Sequence, residues 1–178
     1  MERIILWEIN STSLQVNPLS TNQHAFRAGR STETALTSMV SKVENAICNG
    51  KYALCVFLDI QGAFDNVSPE AVLRGMENKG ISDRFCRWYE HYLMNRTITV
   101  KHNGVTLHRS LTLGTPQGGV LSPVMWNLAF ESYLELFQGS LIHVDEFVDD
   151  AALLLVGHNP NLNGETNIDW FSEPPKQR

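Results

Sequence analysis

The chain has 178 residues, of which 43% are hydrophobic and 19% are charged, and its formal net charge is −5. This length and apolar content suffice for one domain, or a large part of one, with its own core. The three cysteines, Cys48, Cys55 and Cys86, have no metal-ligand spacing and favour a reducing compartment. The sequence shows no signal-peptide layout and no bilayer-spanning apolar run, which predicts an intracellular protein, nuclear or cytoplasmic, without membrane contact.

The charge is unevenly distributed along the chain. Residues 81–110 carry five basic side chains against two acidic ones, whereas residues 111–157 carry six acidic side chains and no Lys or Arg. A basic stretch beside an acidic one suits a polyanion whose reacting phosphate is bridged by metal. Ordinary variation of surface charge gives the same pattern, so charge alone leaves both interpretations open.

The first 50 residues predict a short helix, a turn and a long helix. Residues 1–16 are compatible with a short helix that stops at the turn of residues 17–20. The apolar spacing of residues 32–48 predicts a helix. Arg27 and Arg30 precede this helix, where they are well placed to hold a triphosphate; a pair of solvated loop arginines is the equally weighted alternative.

A continuous apolar run at residues 52–58 is rich in strand formers and predicts a buried strand, with Cys55 as a buried thiol. The run ends at Asp59, and the turn-like residues 60–65 follow. Strand ends project side chains into clefts, so an aspartate there is a common metal ligand. Aspartate is also a common strand-terminating residue, and Asp59 alone favours the ligand only weakly.

Two helices and a hairpin are predicted next. A helix begins at Pro69 and ends at Lys79-Gly80, and a second, at residues 82–94, carries an aromatic stripe that is most simply core. Residues 97–107 alternate around a central turn and predict a β-hairpin. Its basic side chains are suited to follow a phosphate backbone, and they are Arg96, Lys101 and Arg109.

The glycine-rich stretch at residues 113–123 surrounds a single glutamine, Gln117. Three glycines allow the backbone to approach a ligand closely. Ser122 is predicted to cap the helix that follows. A Gly-rich loop before a helix fits phosphate or nucleotide binding, but many such loops merely turn.

Asp149 and Asp150 interrupt the apolar run at residues 147–156, although Asp is poor in strands. Two like charges about 4 Å apart repel by ~1 kcal/mol in water and ~4 kcal/mol at an effective dielectric of 20. A divalent cation bound by oxygen ligands would compensate for this repulsion. A solvated Asp-Asp turn joining strands near 141–148 and 151–156 is the alternative.

Four stretches in this order resemble the palm of reverse transcriptases, most closely those of non-LTR (LINE-like) retrotransposons. The four are HAFRAGRST at residues 24–32, FLDIQGAFD at 57–65, GTPQGGVLSP at 114–123 and FVDD at 147–150. The resemblance covers residues 1–157 and implies an α+β fold, in which an antiparallel sheet bears carboxylates and is backed by helices, together with part of the fingers. Residues 158–178 are predicted to be a poorly ordered tail.

The resemblance implies RNA-directed DNA polymerase activity, with an RNA template, a DNA primer and deoxynucleoside triphosphates as partners. By resemblance, Asp59, Asp149 and Asp150 are the catalytic carboxylates. Together with the backbone carbonyl of Ile60 they hold two Mg²⁺ ions, with Mn²⁺ as the alternative metal. The residues that contact the nucleotide are, by the same resemblance, Arg27 and Arg30 at the triphosphate, Phe64 at the sugar, and Gln117 and Gly118 at the nucleotide and template.

The sequence departs from the family pattern in two ways. Val148 stands where the family usually has Ala or Met, a small change that we expect to be tolerated. Nothing after Gly157 resembles the later motifs or the thumb, so we expect a fragment of fingers and palm. A catalytically inactive palm remnant that binds nucleic acid or a partner is therefore the alternative, and a group II intron maturase is a third. The oligomeric state is left open.

Overall fold

The computed structural model describes residues 1–94 and 96–157, and the tail predicted at residues 158–178 lies outside the described residues. The helices are α1 (Glu2–Ser11), α2 (Ser13–Val16), α3 (Thr32–Cys48), α4 (Pro69–Asn78), α5 (Asp83–Met94) and α6 (Ser122–Leu134), which continues into a 3-10 turn (Glu135–Phe137). The strands are β1 (Tyr52–Asp59), β2 (Thr97–His102), β3 (Val105–Ser110), β4 (Ile142–Phe147) and β5 (Asp150–Gly157). The predicted α+β class is confirmed. In the part of the chain that the structure describes, no helix is long and apolar enough to cross a membrane.

Two helices begin at capping residues that lie where the sequence pattern predicts a start. At α3, the Thr34 N–H donates to Ser31 Oγ at 3.2 Å and the Ser31 N–H donates to Thr34 Oγ1 at 2.9 Å, a reciprocal capping box. At α4, Ser68 Oγ accepts the Ala71 N–H, and Pro69 occupies the first turn, where its missing N–H costs nothing. These predicted helices are confirmed, as are α5 and the β2–β3 hairpin.

The start of α6 differs from the prediction that Ser122 caps it. Leu121 occupies the N-cap position, and Ser122 Oγ instead donates to the carbonyl oxygen of Pro116. Glu2 Oε2, on α1, accepts the Val120 N–H at 2.8 Å and so brings an acidic side chain to the positive end of the helix. Because these partners are distant in the chain, no local pattern indicates the contact.

The sheet places β5 between β1 and β4, all antiparallel. Along β1 and β5 the pairing runs from Tyr52 opposite Gly157 to Asp59 opposite Asp150. On the other side of β5, Phe147 at the end of β4 also lies opposite Asp150. The ends of all three strands therefore meet around Asp150.

The core lies between α4, α5, α6 and one face of the sheet. Helices α4 and α6 approach closely at Gly75, where a Cβ would lie only 2.0 Å from the Leu128 carbonyl oxygen. Tyr89 on α5 is 1% exposed, which confirms the aromatic stripe of this helix as core. The other members of the stripe are partly buried against the same core, and they are Phe85, Trp88 and Tyr92.

The prediction that β1 is a buried strand is wrong. Each of its residues is exposed or half-buried, and Phe57 exposes 74% of its surface. Cys55 is half-buried rather than a buried thiol. Among the described residues, β1 lies at the edge of the sheet with β5 as its partner, so nothing covers its outer side. An apolar run indicates a strand but does not distinguish a central strand from an edge strand.

We expect Gly75→Ala to lower the free energy of unfolding by about 1–3 kcal/mol, because the added methyl overpacks the α4–α6 crossing. Without that contact, the same change inside a helix would stabilise the fold by roughly 0.5–1 kcal/mol. Urea unfolding followed by circular dichroism measures the difference. Arg74→Ala, at the exposed neighbouring position, is the control and should stay within about 0.5 kcal/mol of the parent. A free energy of unfolding that is unchanged or higher in Gly75→Ala would contradict the close crossing.

Candidate active site

Two strand ends bring three aspartates to the same end of the sheet. Asp59 ends β1, Asp150 begins β5, and the two residues are direct cross-strand partners, so their side chains leave the same face of the sheet. Asp149 lies in the preceding turn, and its carbonyl oxygen accepts the Ile60 N–H at 2.9 Å. All three aspartates are exposed, so a ligand from solvent has access to them.

The donors at this edge fit a hard divalent cation. The carboxylates of Asp59, Asp149 and Asp150 and the backbone carbonyl of Ile60 are all oxygen ligands, the type that Mg²⁺ prefers. Across residues 1–94 and 96–157, however, no three His, Cys, Asp or Glu side chains already converge on a metal position. The three exposed carboxylates would need to rotate toward one another, and exposed side chains change rotamer readily.

Val148 occupies the turn between β4 and β5 with φ of +61°. This left-handed conformation is rare for a β-branched residue, and a strained backbone position of this type costs on the order of 1–3 kcal/mol. The sequence suggests only a small apolar change at Val148. The structure adds a requirement for a left-handed backbone at this position, which an unbranched residue adopts more easily. The position directly precedes Asp149.

The glycine-rich loop before α6 packs against the turn that follows β1. The Thr115 N–H donates to the Phe64 carbonyl oxygen at 2.8 Å, and Gln117 Nε2 donates to Asp65 Oδ1 at 3.2 Å. At Gly114, with φ of +81°, a Cβ would lie 2.6 Å from the Asp65 carbonyl oxygen, so this approach requires glycine. Phe64 and Gln117, which the resemblance assigns separately to nucleotide contacts, therefore lie in loops bonded to each other.

Arg27 is held by its own loop. Its Nη1 donates to the Gln23 carbonyl oxygen at 3.1 Å and also to that of Ser20. Burial and, next, the nearby Arg30 charge lower the pKa of the Arg27 guanidinium, which stays charged at any physiological pH. Arg27 therefore supports the loop structure as well as offering a positive charge.

Gly118, in the glycine-rich loop, has φ of +80° and open space where a Cβ would lie.

Phe26 and Arg27 also line a cavity of about 650 Å³, together with side chains of α1, α2 and α6. None of the described residues that line this cavity is one of the three aspartates. This cavity is thus separate from the candidate metal site.

The structure reveals a residue that the sequence patterns did not single out, Glu146, three positions before Asp149. Glu146 is 0% exposed, and its Oε1 accepts the Trp126 indole N–H at 3.0 Å. Its backbone N–H donates to the Asn22 carbonyl oxygen, and its carbonyl oxygen accepts the His24 N–H, both at 2.9 Å. Burial raises the pKa of Glu146 to about 7, although the Trp126 hydrogen bond acts in the opposite direction. The available signal was an acid at a position of the predicted strand near 141–148 that shares a face with the apolar Ile142 and Val144.

The neighbouring acid, Asp145, points to the other face of β4 and binds α3. Its Oδ2 lies 3.2 Å from Lys42 Nζ and 3.1 Å from His143 Nε2, and it accepts the Ser38 hydroxyl at 3.0 Å. Burial alone would raise the pKa of Asp145, but the hydrogen bond and charge of His143, and then the charge of Lys42, hold it at about 2. Asp145 is therefore ionised and attaches α3 to the strand that leads into the aspartate turn.

A helix-backed antiparallel sheet that presents aspartates where its strands end, beside a glycine-rich loop, is the arrangement of a polymerase palm. The family model described as "Reverse transcriptase (RNA-dependent DNA polymerase)" matches residues 1–166, and the chain belongs to this family. The family predicted from the four motifs is thus confirmed.

Curated relatives come from non-LTR retrotransposons, which confirms the predicted branch. The chain is 28% identical over 156 residues to the retrovirus-related Pol polyprotein from type-1 retrotransposable element R1 of Bradysia coprophila, covering 87% of this chain and 15% of that protein. It is 29% identical over 129 residues to the RNA-directed DNA polymerase from mobile element jockey of Drosophila melanogaster, covering 72% and 14%. The chain therefore spans only 14–15% of the length of these relatives.

Among solved structures, the chain is similar to apo telomerase from Candida tropicalis truncated from its C-terminal domain. The TM-score is 0.60 at 11% sequence identity, and the match covers 86% of this chain and 33% of the telomerase chain. At this identity the likeness concerns the fold, and it agrees with the predicted palm and partial fingers.

The raised pKa of Glu146 predicts a pH-dependent stability that Glu146→Gln should remove. Between the ordinary pKa of 4.5 and about 7, the folded state keeps the Glu146 proton and the unfolded state releases it. The free energy of unfolding of the parent should therefore fall as pH rises through this window, by on the order of 3 kcal/mol. Glu146→Gln should gain stability relative to the parent over the same range in urea titrations.

Asp145→Asn provides a control of opposite sign. Because the pKa of Asp145 is held at about 2, below its ordinary 3.8, this acid stabilises the fold above that range, and its contribution is lost as pH falls. Asp145→Asn should therefore lose stability relative to the parent at neutral pH and approach it in acid. If the free energy of unfolding of the parent and of Glu146→Gln depends on pH in the same way between pH 4.5 and 7, the inference that buried Glu146 retains its proton is wrong.

Proposed function

We propose that this chain carries the nucleotide-adding centre of an RNA-directed DNA polymerase from a non-LTR retrotransposon. The observation that carries the proposal is the pairing of Asp59 with Asp150, beside Asp149, at an exposed end of the sheet. In this reaction the primer 3′-hydroxyl oxygen bonds to the α-phosphorus of a deoxynucleoside triphosphate, and the bond from that phosphorus to pyrophosphate breaks. The template is RNA and the primer is DNA. The polymerisation takes place inside the cell, in the nucleus or cytoplasm.

The three aspartates and the Ile60 carbonyl would hold two Mg²⁺ ions, with Mn²⁺ as the alternative. When bound, such a pair lowers the pKa of the attacking hydroxyl and neutralises charge on the leaving pyrophosphate. The chain itself brings the carboxylates together through the β1–β5 register and ties the two segments by the Ile60–Asp149 hydrogen bond. Catalysis of phosphoryl transfer asks a protein mainly for this kind of positioning.

The remaining predicted contacts complete the proposal. Arg27 and Arg30 contact the triphosphate, Phe64 excludes a ribose 2′-hydroxyl, and Gln117 and Gly118 pack against the nucleotide and template. The hydrogen bonds that join the loops of Phe64 and Gln117 support a single nucleotide site made from both.

A second candidate is a palm that binds nucleic acid or a partner without catalysis. It is favoured by one observation, that the acidic side chains in the described residues do not yet converge on a metal position. Retention of all three aspartates and of Phe64 favours the polymerase.

Primer extension on an RNA template with Mg²⁺ tests the polymerase against the second candidate. We expect Asp149→Ala/Asp150→Ala to reduce extension by at least about 100-fold, because the groups that stabilise the developing charge are lost. Asp83→Ala, an exposed acid on α5, is the matched control and should extend like the parent. Equal extension by the parent and the double variant would contradict the assignment of Asp149 and Asp150 as ligands of the catalytic metal ions. No extension by either, with Mg²⁺-dependent nucleotide binding retained, would favour the non-catalytic palm.

Phe64→Ala should relax discrimination against ribonucleotides, because the side chain that would meet the 2′-hydroxyl is shortened. The measurement is the ratio of the affinities for a deoxynucleoside and a ribonucleoside triphosphate, or of their incorporation rates. Phe130→Leu, a buried aromatic position on α6, is the control and should keep the parental ratio. An unchanged ratio in Phe64→Ala would exclude Phe64 from sugar recognition.

A further inference from the structure

The ring of Phe64 packs against two other aromatic rings. Its centroid is 6.0 Å from that of Phe26, nearly edge to face at 69°, and 5.9 Å from that of Trp126, tilted by 39°. Aromatic pairs at such separations contribute about 0.5–1.5 kcal/mol beyond their buried area. The position of the Phe64 ring therefore depends on where these two neighbours are held.

A buried hydrogen bond to Glu146 holds the Trp126 indole in place. The indole is 6% exposed, and its N–H donates to Glu146 Oε1 at 3.0 Å inside the core. If the indole turned away, a buried donor and a buried acceptor would both lose their partner, which is costly. The hydrogen bond thus selects one orientation of the ring that contacts Phe64.

Glu146 also anchors the segment that leads to Phe26. The Glu146 N–H donates to the Asn22 carbonyl oxygen, and the Glu146 carbonyl oxygen accepts the His24 N–H, so both of its backbone groups are hydrogen-bonded to that segment. Gln23, between them, donates from Nε2 to the Asn127 carbonyl oxygen at 2.9 Å, which ties the segment to α6 as well. Both rings that flank Phe64 are therefore positioned from Glu146.

The same residue is linked to the aspartates along β4. Glu146 lies opposite Ala151 in the sheet, and Phe147, the next residue, lies opposite Asp150. A sheet pairing of this kind is rigid compared with the exposed turn. Glu146 therefore links the Trp126 side of the Phe64 ring to the strand that ends at the aspartate turn, in addition to the direct connection through the Ile60–Asp149 hydrogen bond.

We propose that Glu146 and Trp126 are positioning residues that set the Phe64 ring relative to the aspartate turn, and so determine how strongly ribonucleotides are rejected. The inference rests on the proposed function, in which Phe64 excludes the 2′-hydroxyl. Trp126 and Glu146 touch no nucleotide in this role and act only through Phe64.

The test measures equilibrium affinity for dCTP and CTP with the full chain, Mg²⁺ and a template–primer that ends in a dideoxynucleotide, so that no turnover takes place. We expect Trp126→Leu to reduce the deoxy-to-ribo affinity ratio about two- to tenfold, because it removes one aromatic neighbour of Phe64. Glu146→Leu, which frees the indole to turn, should lower the ratio in the same direction by up to that factor. Glu146→Gln keeps an oxygen that accepts the indole N–H and should keep the ratio. Trp126→Phe retains a ring and most of the core volume, so it tests the lost hydrogen bond if Trp126→Leu does not fold.

Phe130→Leu is the matched control, since the Phe130 ring also neighbours Trp126, at 6.0 Å, and is 5% exposed, whereas the described aromatic pairs of Phe64 are with Phe26 and Trp126. It should lower stability but keep the ratio. The inference is overturned, with the proposed function intact, if Phe64→Ala lowers the ratio while Trp126→Phe and Glu146→Leu do not, or if Phe130→Leu lowers it equally. If Phe64→Ala leaves the ratio unchanged, the proposed role of Phe64 fails and this inference fails with it.

Discussion

The register between β1 and β5 is the constraint on which the candidate site depends. Side chains alternate between faces along a strand, so a slip of one residue would move Asp59 to the face opposite Asp150. Such a slip would have to break the pairing of β5 with β1 or shift it together with the pairing of β5 with β4. The Ile60–Asp149 hydrogen bond continues the pairing just past the strands and holds the aspartate turn beside the segment that leads to Phe64.

Two buried acids on β4 connect this register to the rest of the molecule. Asp145 is ionised and holds α3, whereas Glu146 retains its proton to near neutral pH and holds Trp126 and the segment before Arg27. Burial of an acid is costly unless the acid is paired or neutral. Asp145 is paired with cationic side chains, and Glu146 is neutral below its raised pKa. Both attach elements that are distant in sequence to the strand that ends at the aspartates.

Much of the fold was accessible from local patterns. Apolar periodicity and capping residues predicted α3, α4 and α5, and alternation around a turn predicted the β2–β3 hairpin, because these elements are stabilised mainly by neighbours in the chain. The exposure of β1 and the start of α6 were not accessible. The first depends on which strand lies next to β1, and the second depends on Glu2 reaching Val120.

The sequence by itself determined the family and which residues are candidates for chemistry, since four motifs in a fixed order name Asp59, Asp149 and Asp150 without any coordinates. Only the tertiary structure decided how they are arranged: that Asp59 faces Asp150, that Gln117 lies in a loop bonded to that of Phe64, and that Glu146 supports them from within the core. The physical reason is that motif residues are recognisable one segment at a time. Strand register and buried hydrogen bonds, by contrast, join segments that are far apart in the chain and exist only once the chain has folded.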